Sequence, residues 1–286
     1  MAKDFDPLHA LKHSIVNTMF IVTADDNYVL ARWAFLNDLN VDFLWLAVHC
    51  LEKYLKAALL LNGRTAKPYK HDITELYVEA RSLAPELLPI DLIQPSGLEF
   101  DYWHKETVDE FVGRLYRDGQ ADNRYQLYGY VRRADDLFKL DQLVFAVRPM
   151  CQPLEVHFLG KSRPDVPDTS RRDWMQKNPN AFTNLNSRLE EIMSGKGGVD
   201  LTHAALNCNF PFARSGFAHT PIGYVTASQN PVLFRRIYEP LKHGPQHFAE
   251  TDQLWEWVQD NIYMPKKVIK EIDGDRERLK RKWTGK

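Results

Sequence analysis

The chain has only three cysteines in 286 residues, and Cys50, Cys151 and Cys208 lie far apart with no Cys-x-x-Cys pair. This spacing argues against a disulfide framework and against a zinc ribbon. We therefore expect a reducing, cytoplasmic setting. The N-terminal residues lack the long apolar run of a secretory signal, and no window approaches the eighteen or so apolar residues that a membrane span needs. No membrane partner is expected.

The sequence also lacks a strong net charge, which is −1 at pH 7. An electrostatic partner would therefore have to bind a local patch rather than respond to the field of the whole protein. Charged residues make up 26 % of the chain and hydrophobic residues 44 %, which is typical of a globular protein and argues against a disordered one. The length allows one large domain or two ordinary ones.

A metal site has little support in the sequence. His243 and His247 have the i, i+4 spacing of a metal-binding pair. However, Gly244 and Pro245 lie between them and disrupt the helix that this spacing requires. We expect no metal and no other cofactor.

Amphipathic helices dominate the predicted secondary structure. Helices are predicted near 25–39, 42–62, 72–83, 106–118, 125–149, 181–194, 230–239, 248–262 and 265–283. Prolines make residues 85–105 an irregular crossover. The amino-acid composition changes after Pro149, where several prolines follow within about thirty residues. We predict an all-α protein with an N-terminal segment (1–21), an antiparallel helical bundle (22–150) and a helix-rich C-terminal region (151–286) of unknown type.

The most informative segment is the helix predicted over 42–62. Its apolar residues recur at three- and four-residue steps, which places them on one buried stripe. They are Leu44, Val48, Leu51, Leu55 and Leu59. The opposite side carries Glu52, Lys53 and Lys56, and Glu52 can pair with Lys56 one turn on. Asn62-Gly63 ends the helix, and a new helix starts at Asp72.

This Glu-Lys-x-x-Lys-Ala helix, followed by His71-Asp-Ile, resembles the HEPN family (higher eukaryotes and prokaryotes nucleotide-binding domain). The resemblance covers about residues 22–150, with Tyr28–Leu36 similar to the first long helix and Asn123–Tyr128 similar to the element before the last helix. It implies a helical bundle that binds nucleotide or RNA as a homodimer, in a prokaryotic defence or toxin–antitoxin setting.

By this resemblance, a basic groove would accept phosphate through Lys53, Lys56, Lys70, His71 and Arg124. The alternatives stay open at this point: the two lysines on the helix can simply serve solubility, and His71 can tie down the loop before the next helix.

Many HEPN proteins are metal-independent ribonucleases, in which Arg is followed after four to six residues by His near the last bundle helix. Here no histidine lies between His104 and His157, so we expect binding without cleavage. The rival interpretation is an endoribonuclease that uses His71 with Arg64, or His219 with Arg214. A third is a structural domain in which the faces of the bundle bind protein only. As a separate expectation, the C-terminal region offers a surface for a protein partner.

The C-terminal segment 266–286 is locally basic, with nine Lys or Arg against four Asp or Glu. Such a segment is either a solvated terminal helix whose charges pair along its face or a contact surface for nucleic acid.

Overall fold

The computed structural model describes residues 7–96, 98, 103–123, 129–157, 169–178, 187–222 and 234–284. The described residues contain eleven α-helices. These are α1 (Pro7–Val16), α2 (Val22–Leu36), α3 (Asn40–Leu61), α4 (Ile73–Leu83), α5 (Val108–Gly119), α6 (Asp136–Val147), α7 (Arg171–Lys177), α8 (Arg188–Met193), α9 (Val199–Leu206), α10 (Phe248–Asn261) and α11 (Lys266–Thr284).

The all-α prediction is confirmed, because β-structure in the described residues is limited to two isolated antiparallel bridges. One joins Asp91 to Thr107 and the other joins His157 to Ser170. None of the helices within the described ranges combines the length and the apolar character needed to cross a membrane.

Helix α3 lies at the centre of the bundle and packs against α2, α4, α5 and α6. Its predicted stripe from Leu44 to Leu59 is buried, as expected. Because helices contact it on several sides, α3 also buries residues outside that stripe, among them Cys50 and Tyr54. The edge-to-face pair Phe35–Phe43, with ring centroids 5.0 Å apart, fixes the corner between α2 and α3.

The ends of the helices around α3 follow local signals in the sequence. Helix α3 ends at Leu61, and Gly63 has a φ of 76° that glycine adopts without strain. The side chain of Asp72 accepts hydrogen bonds from the N–H groups of Thr74 and Glu75 and so caps α4. Helix α5 starts with a reciprocal capping box between Thr107 and Glu110.

The helix predicted over 125–149 begins later than expected, at Asp136. Residues 124–128 lie outside the described ranges. From Gly129, which has a φ of 71°, the backbone is held by side chains instead of helical hydrogen bonds. Asn123 donates to the carbonyl of Gly129, and Asp118 accepts from the N–H of Val131. These bonds replace the helical ladder before Asp136.

Buried apolar side chains of the described residues form two clusters. The first runs through α2–α6 and continues past residue 150 to Leu189, Ile192 and Phe212. The second contains Ile237, Trp255, Val258, Met264, Val268 and Ile272. The domain division predicted at residue 150 stays a prediction, but the packing of the first cluster does not stop there.

Two buried arginines join the segment 187–222 to the bundle. Arg32 of α2 pairs with Asp141 and donates to the carbonyl oxygens of Ala204 and Asn207 at the end of α9. Arg148 pairs with Asp25 at 2.9 Å and with Glu190 at 2.7 Å. Both guanidinium groups thus find acceptors for their donors, which is the condition for burying a charge.

Candidate functional site

A cavity of about 290 Å³ opens between α3, the start of α4 and the C-terminal end of α5. We call it the Glu52 pocket. It is lined by Trp45, Val48, His49, Glu52, His71, Tyr116, Gln120, Ala121 and Asp122. The volume lies just below the range of roughly 300–1,000 Å³ that is usual for small-molecule sites.

Glu52 is the central polar group of the pocket and is only 7 % exposed. Its Oε1 accepts a hydrogen bond from Nζ of Lys56 at 2.6 Å and lies 2.9 Å from Nδ1 of His71. Both interactions use Oε1, and among the described residues Oε2 has no hydrogen-bond partner. The predicted Glu52–Lys56 pair is confirmed. The carboxylate itself lies in the interior rather than on the solvent side.

The backbone at Lys70 brings His71 to this carboxylate. Lys70 has a φ of 48°, a conformation that residues with a side chain rarely adopt. His71 follows directly and precedes the N-cap residue Asp72. The side chain of His71 is 83 % exposed, so it covers the mouth of the pocket rather than its interior. Backbone strain of this kind is concentrated at functional sites.

Aromatic rings line the walls of the pocket. The rings of Trp45 and His49, one turn apart on α3, have centroids 3.9 Å apart, and Nδ1 of His49 lies 2.9 Å from the carbonyl oxygen of Trp45. Tyr116 contributes from α5. Burial raises the pKa of the Tyr116 hydroxyl, and so do neighbouring carboxylates such as Asp72 and Glu52. The pocket is therefore lined by aromatic rings and by two carboxylates, those of Glu52 and Asp122.

The two helix lysines of the predicted basic groove bind different partners. Nζ of Lys53 donates to Oδ1 of Asn27 at 2.6 Å and lies 3.4 Å from the carbonyl oxygen of Thr23. Burial lowers the pKa of this ammonium group. Lys56 instead turns toward Glu52. The two lysines do not line one furrow, because α2 holds one ammonium group and the buried carboxylate holds the other.

The other predicted binding residues differ in what the structure says about their positions. Lys70 is exposed and directly precedes His71 in the chain, but it is not one of the residues that line the pocket. Arg124 lies outside the described residues. The predicted role of all five residues in binding stays a prediction.

The two Arg/His pairs of the ribonuclease alternative are each engaged separately. Arg64 donates to Glu79 and Ser82, each at 2.6 Å, near the C-terminal end of α4. His71 lies before the first turn of the same helix. Along the helix axis, Ile73 in that first turn is roughly 9 Å from Glu79, which binds Arg64. Arg64 and His71 therefore bind different partners, Glu79 with Ser82 in one case and Glu52 in the other, and their joint role in cleavage stays a hypothesis.

His219 and Arg214 also have separate partners. Nδ1 of His219 accepts a hydrogen bond from the backbone N–H of Cys208 at 2.8 Å. The ring lies between Phe210 and Phe217, with centroids 5.6 and 5.3 Å away. Arg214 donates to the carbonyl oxygen of Met193. These contacts stabilise the loop that follows α9.

Sequence reasoning missed the carboxylate and most of the aromatic residues of the pocket. A signal was present, because Trp45, His49 and Glu52 follow one another at steps of four and three and therefore share one face of α3. Gln120 and Asp122 carried no such signal. They lie in and beside the short 3₁₀ turn Ala121–Asn123 after α5, where no periodicity applies.

Groups of three or more His, Cys, Asp or Glu side chains arranged to hold a metal ion are not found among the described residues. Comparison of the chain with protein-family models, with curated proteins and with solved structures gives no match. The resemblance to the HEPN family therefore stays a prediction.

Proposed function

We propose that the protein binds nucleotide or RNA by taking a nucleobase into the Glu52 pocket, and that it does so without cleaving the ligand. The observation that carries this proposal is a buried carboxylate with one unpartnered oxygen among the described residues, inside a cavity walled by aromatic rings. A planar heterocycle with hydrogen-bond donors on its edge is the ligand class that meets both features.

The aromatic walls supply the non-specific part of the affinity. Stacking of a base on an aromatic side chain contributes about 1–3 kcal/mol, and it tolerates different bases because every base has a π-face. Trp45 and Tyr116 lie on different helices and so border the cavity from two sides.

The carboxylates supply selectivity. Oε2 of Glu52 can accept hydrogen bonds only, as can the carboxylate of Asp122. A base that presents an amino group, such as guanine, adenine or cytosine, can donate to these oxygens. Uracil has no amino group, and its one donor on that edge, N3–H, lies between two carbonyl oxygens that a carboxylate repels. We therefore expect amino-bearing bases to bind more tightly than uracil.

The phosphate groups of such a ligand would stay outside. Two carboxylates repel an anion from the interior of the pocket, whereas the exposed ammonium group of Lys70 belongs to the residue directly before His71. The absence of cleavage is inferred from the missing Arg/His pair near the last bundle helix, where no histidine lies between His104 and His157. Phosphoryl chemistry of the ribonuclease type needs a cation and a proton-transferring group at one phosphate.

Equilibrium titration of the full chain with GMP, CMP, AMP and UMP, followed by calorimetry, tests the proposal. We expect the amino-bearing nucleotides to bind about tenfold or more tightly than UMP, since a good base-edge contact discriminates by about 1–3 kcal/mol. Glu52→Gln should reduce this preference, and Trp45→Leu should weaken the binding of all four nucleotides. Trp257→Leu is the matched control, because Trp257 is exposed on α10.

Equal, weak binding of all four nucleotides that is unaffected by Glu52→Gln and by Trp45→Leu would contradict the proposal. A separate assay with labelled RNA tests the claim of no cleavage. RNA cleavage that survives EDTA and is lost in His71→Ala would replace it with the ribonuclease alternative.

A further inference from the structure

Helix α11 presents six cations on one side. Lys266, Lys267, Lys270, Arg278, Arg281 and Lys282 fall within an arc of about 160° when residues are placed at 3.6 per turn. We call this surface the α11 basic face. It carries two carboxylates, Glu271 and Glu277. The first and last of the six cations are sixteen residues apart, which corresponds to about 24 Å along the helix.

Most of these cations have no ion-pair partner within the described part of the chain. Arg278 pairs with Asp275. The other five are exposed and form no ion pair with any residue that the structure describes. Two further cations of α11 are not part of this face: Arg276 and Lys280 both bind Asp252 of α10. The positive charges of the other five cations are therefore directed to solvent and are not neutralised by carboxylates of α10 or α11.

The opposite side of α11 is already occupied. Val268 and Ile272 are buried in the second core cluster with Trp255 and Val258 of α10. A helix that binds a membrane surface inserts its apolar face among the lipids. Here that face contributes to the protein's own core, so a lipid surface is a poor fit.

Gly274 lies near the centre of the α11 basic face. A methyl group added there would meet no atom within 4 Å, so packing inside the protein does not explain the glycine. Glycine is also the least favourable helix residue apart from proline. Where a helix exposes glycine between cations, a partner can approach the helix backbone more closely than a side chain at that position would permit.

We infer that the α11 basic face binds the sugar–phosphate backbone of a nucleic-acid duplex without reading its sequence. Clustered lysine and arginine side chains gain affinity for phosphates through the release of counterions. Sites for single strands add aromatic side chains on which bases stack, and none lies among the six cations. The only aromatic residue of α11, Trp283, donates to the carbonyl oxygen of Leu241 at 3.0 Å.

This inference goes beyond the Glu52 pocket and does not depend on it. Bases in a duplex are paired and stacked, so they cannot enter a pocket on the bundle. A duplex probe therefore reports on α11 alone, whereas mononucleotides report on the pocket.

Fluorescence anisotropy with a labelled 20-base-pair DNA duplex, measured over a series of salt concentrations, tests the inference. Five unpaired cations predict a slope of log K against log salt near −4.5, at about −0.9 per phosphate contact. The double substitution Lys270→Ala with Arg281→Ala should make this slope shallower by about 2. Lys67→Ala with Lys177→Ala is the matched control, since both lysines are exposed elsewhere and the net charge changes equally.

Gly274→Ala provides a second, independent readout. It should raise the melting temperature of the protein and yet weaken duplex binding several-fold, with circular dichroism unchanged. Duplex binding that is the same in wild type and in Lys270→Ala with Arg281→Ala would overturn the inference. So would tighter binding to phosphatidylserine vesicles than to the duplex, or an unchanged affinity in Gly274→Ala.

Discussion

Nδ1 of His71 lies 2.9 Å from Oε1 of Glu52, although the imidazole is largely exposed and the carboxylate is buried. The contact joins the loop before α4 to the middle of α3. Oε1 therefore has both His71 and Lys56 as partners, whereas Oε2 has no hydrogen-bond partner among the described residues. Pairing with Lys56 offsets the free energy that burial of the charge costs, so Oε2 can accept a hydrogen bond from a ligand.

Asp141→Asn should strongly destabilise the protein. Arg32 is fully buried and pairs with Asp141, which also accepts from the hydroxyl of Tyr28 at 2.7 Å. Removing the counter-charge leaves a buried guanidinium group unpaired, which costs about 3–5 kcal/mol. Urea denaturation measures this change. Asp109→Asn is the control, because Asp109 pairs with Arg81 at the surface and such pairs contribute about 0–1 kcal/mol. Equal effects of the two substitutions would contradict this account.

Glu106 should make stability depend on pH in the acid range. Burial alone disfavours its charged form, but hydrogen bonds from Arg114 and Lys139 outweigh burial and lower its pKa to about 2. A folded-state pKa below the unfolded value means that Glu106 stabilises the protein above about pH 4.5, and that this contribution is lost as pH falls toward 2.

Denaturation of wild type and Glu106→Gln at pH 7 and at pH 3 measures this contribution. The free energies of unfolding should differ most at pH 7, and the difference should shrink at pH 3. A difference that grows on acidification would show that the sign is wrong.

Two glycines of α5 should respond to the same substitution in opposite directions. A Cβ at Gly119 would lie 2.7 Å from Cγ2 of Val48 and 2.8 Å from the carbonyl carbon of Leu44. Gly119→Ala should therefore push α5 away from α3 and cost about 1–3 kcal/mol. A Cβ at Gly113 meets no atom within 4 Å, so Gly113→Ala should stabilise the helix by roughly 0.5–1 kcal/mol. Melting temperatures that move in the same direction would contradict this packing.

The helices that could be predicted from the sequence are those with a strong period and clear ends. The spacing of Leu44, Val48, Leu51 and Leu55 predicts α3 and its buried stripe, because one helix face has to pack on neighbours whatever those neighbours are. Asp72 likewise predicts the start of α4 through its own side chain. Such signals are local, and local signals need no knowledge of the fold.

The parts that sequence reasoning missed depend on distant residues. Lys53 binds Asn27, which lies 26 positions earlier, and no pattern within α3 reveals that partner. Glu52 is buried because His71 and α5 cover it, although its place among charged residues suggested a solvent-facing side. The late start of α6 has the same kind of cause, since Asn123 and Asp118 hold the preceding backbone.

The most direct test of the central claim is a ¹H–¹⁵N NMR titration of the full chain with GMP, with the tryptophan indole signals assigned by single Trp→Phe substitutions. We predict that the indole signal of Trp45 and the backbone amide signal of His71 shift in a saturable way, while the indole signal of Trp257 does not move. Saturable shifts confined to residues outside the Glu52 pocket, or no shift of Trp45 at millimolar GMP, would contradict the account.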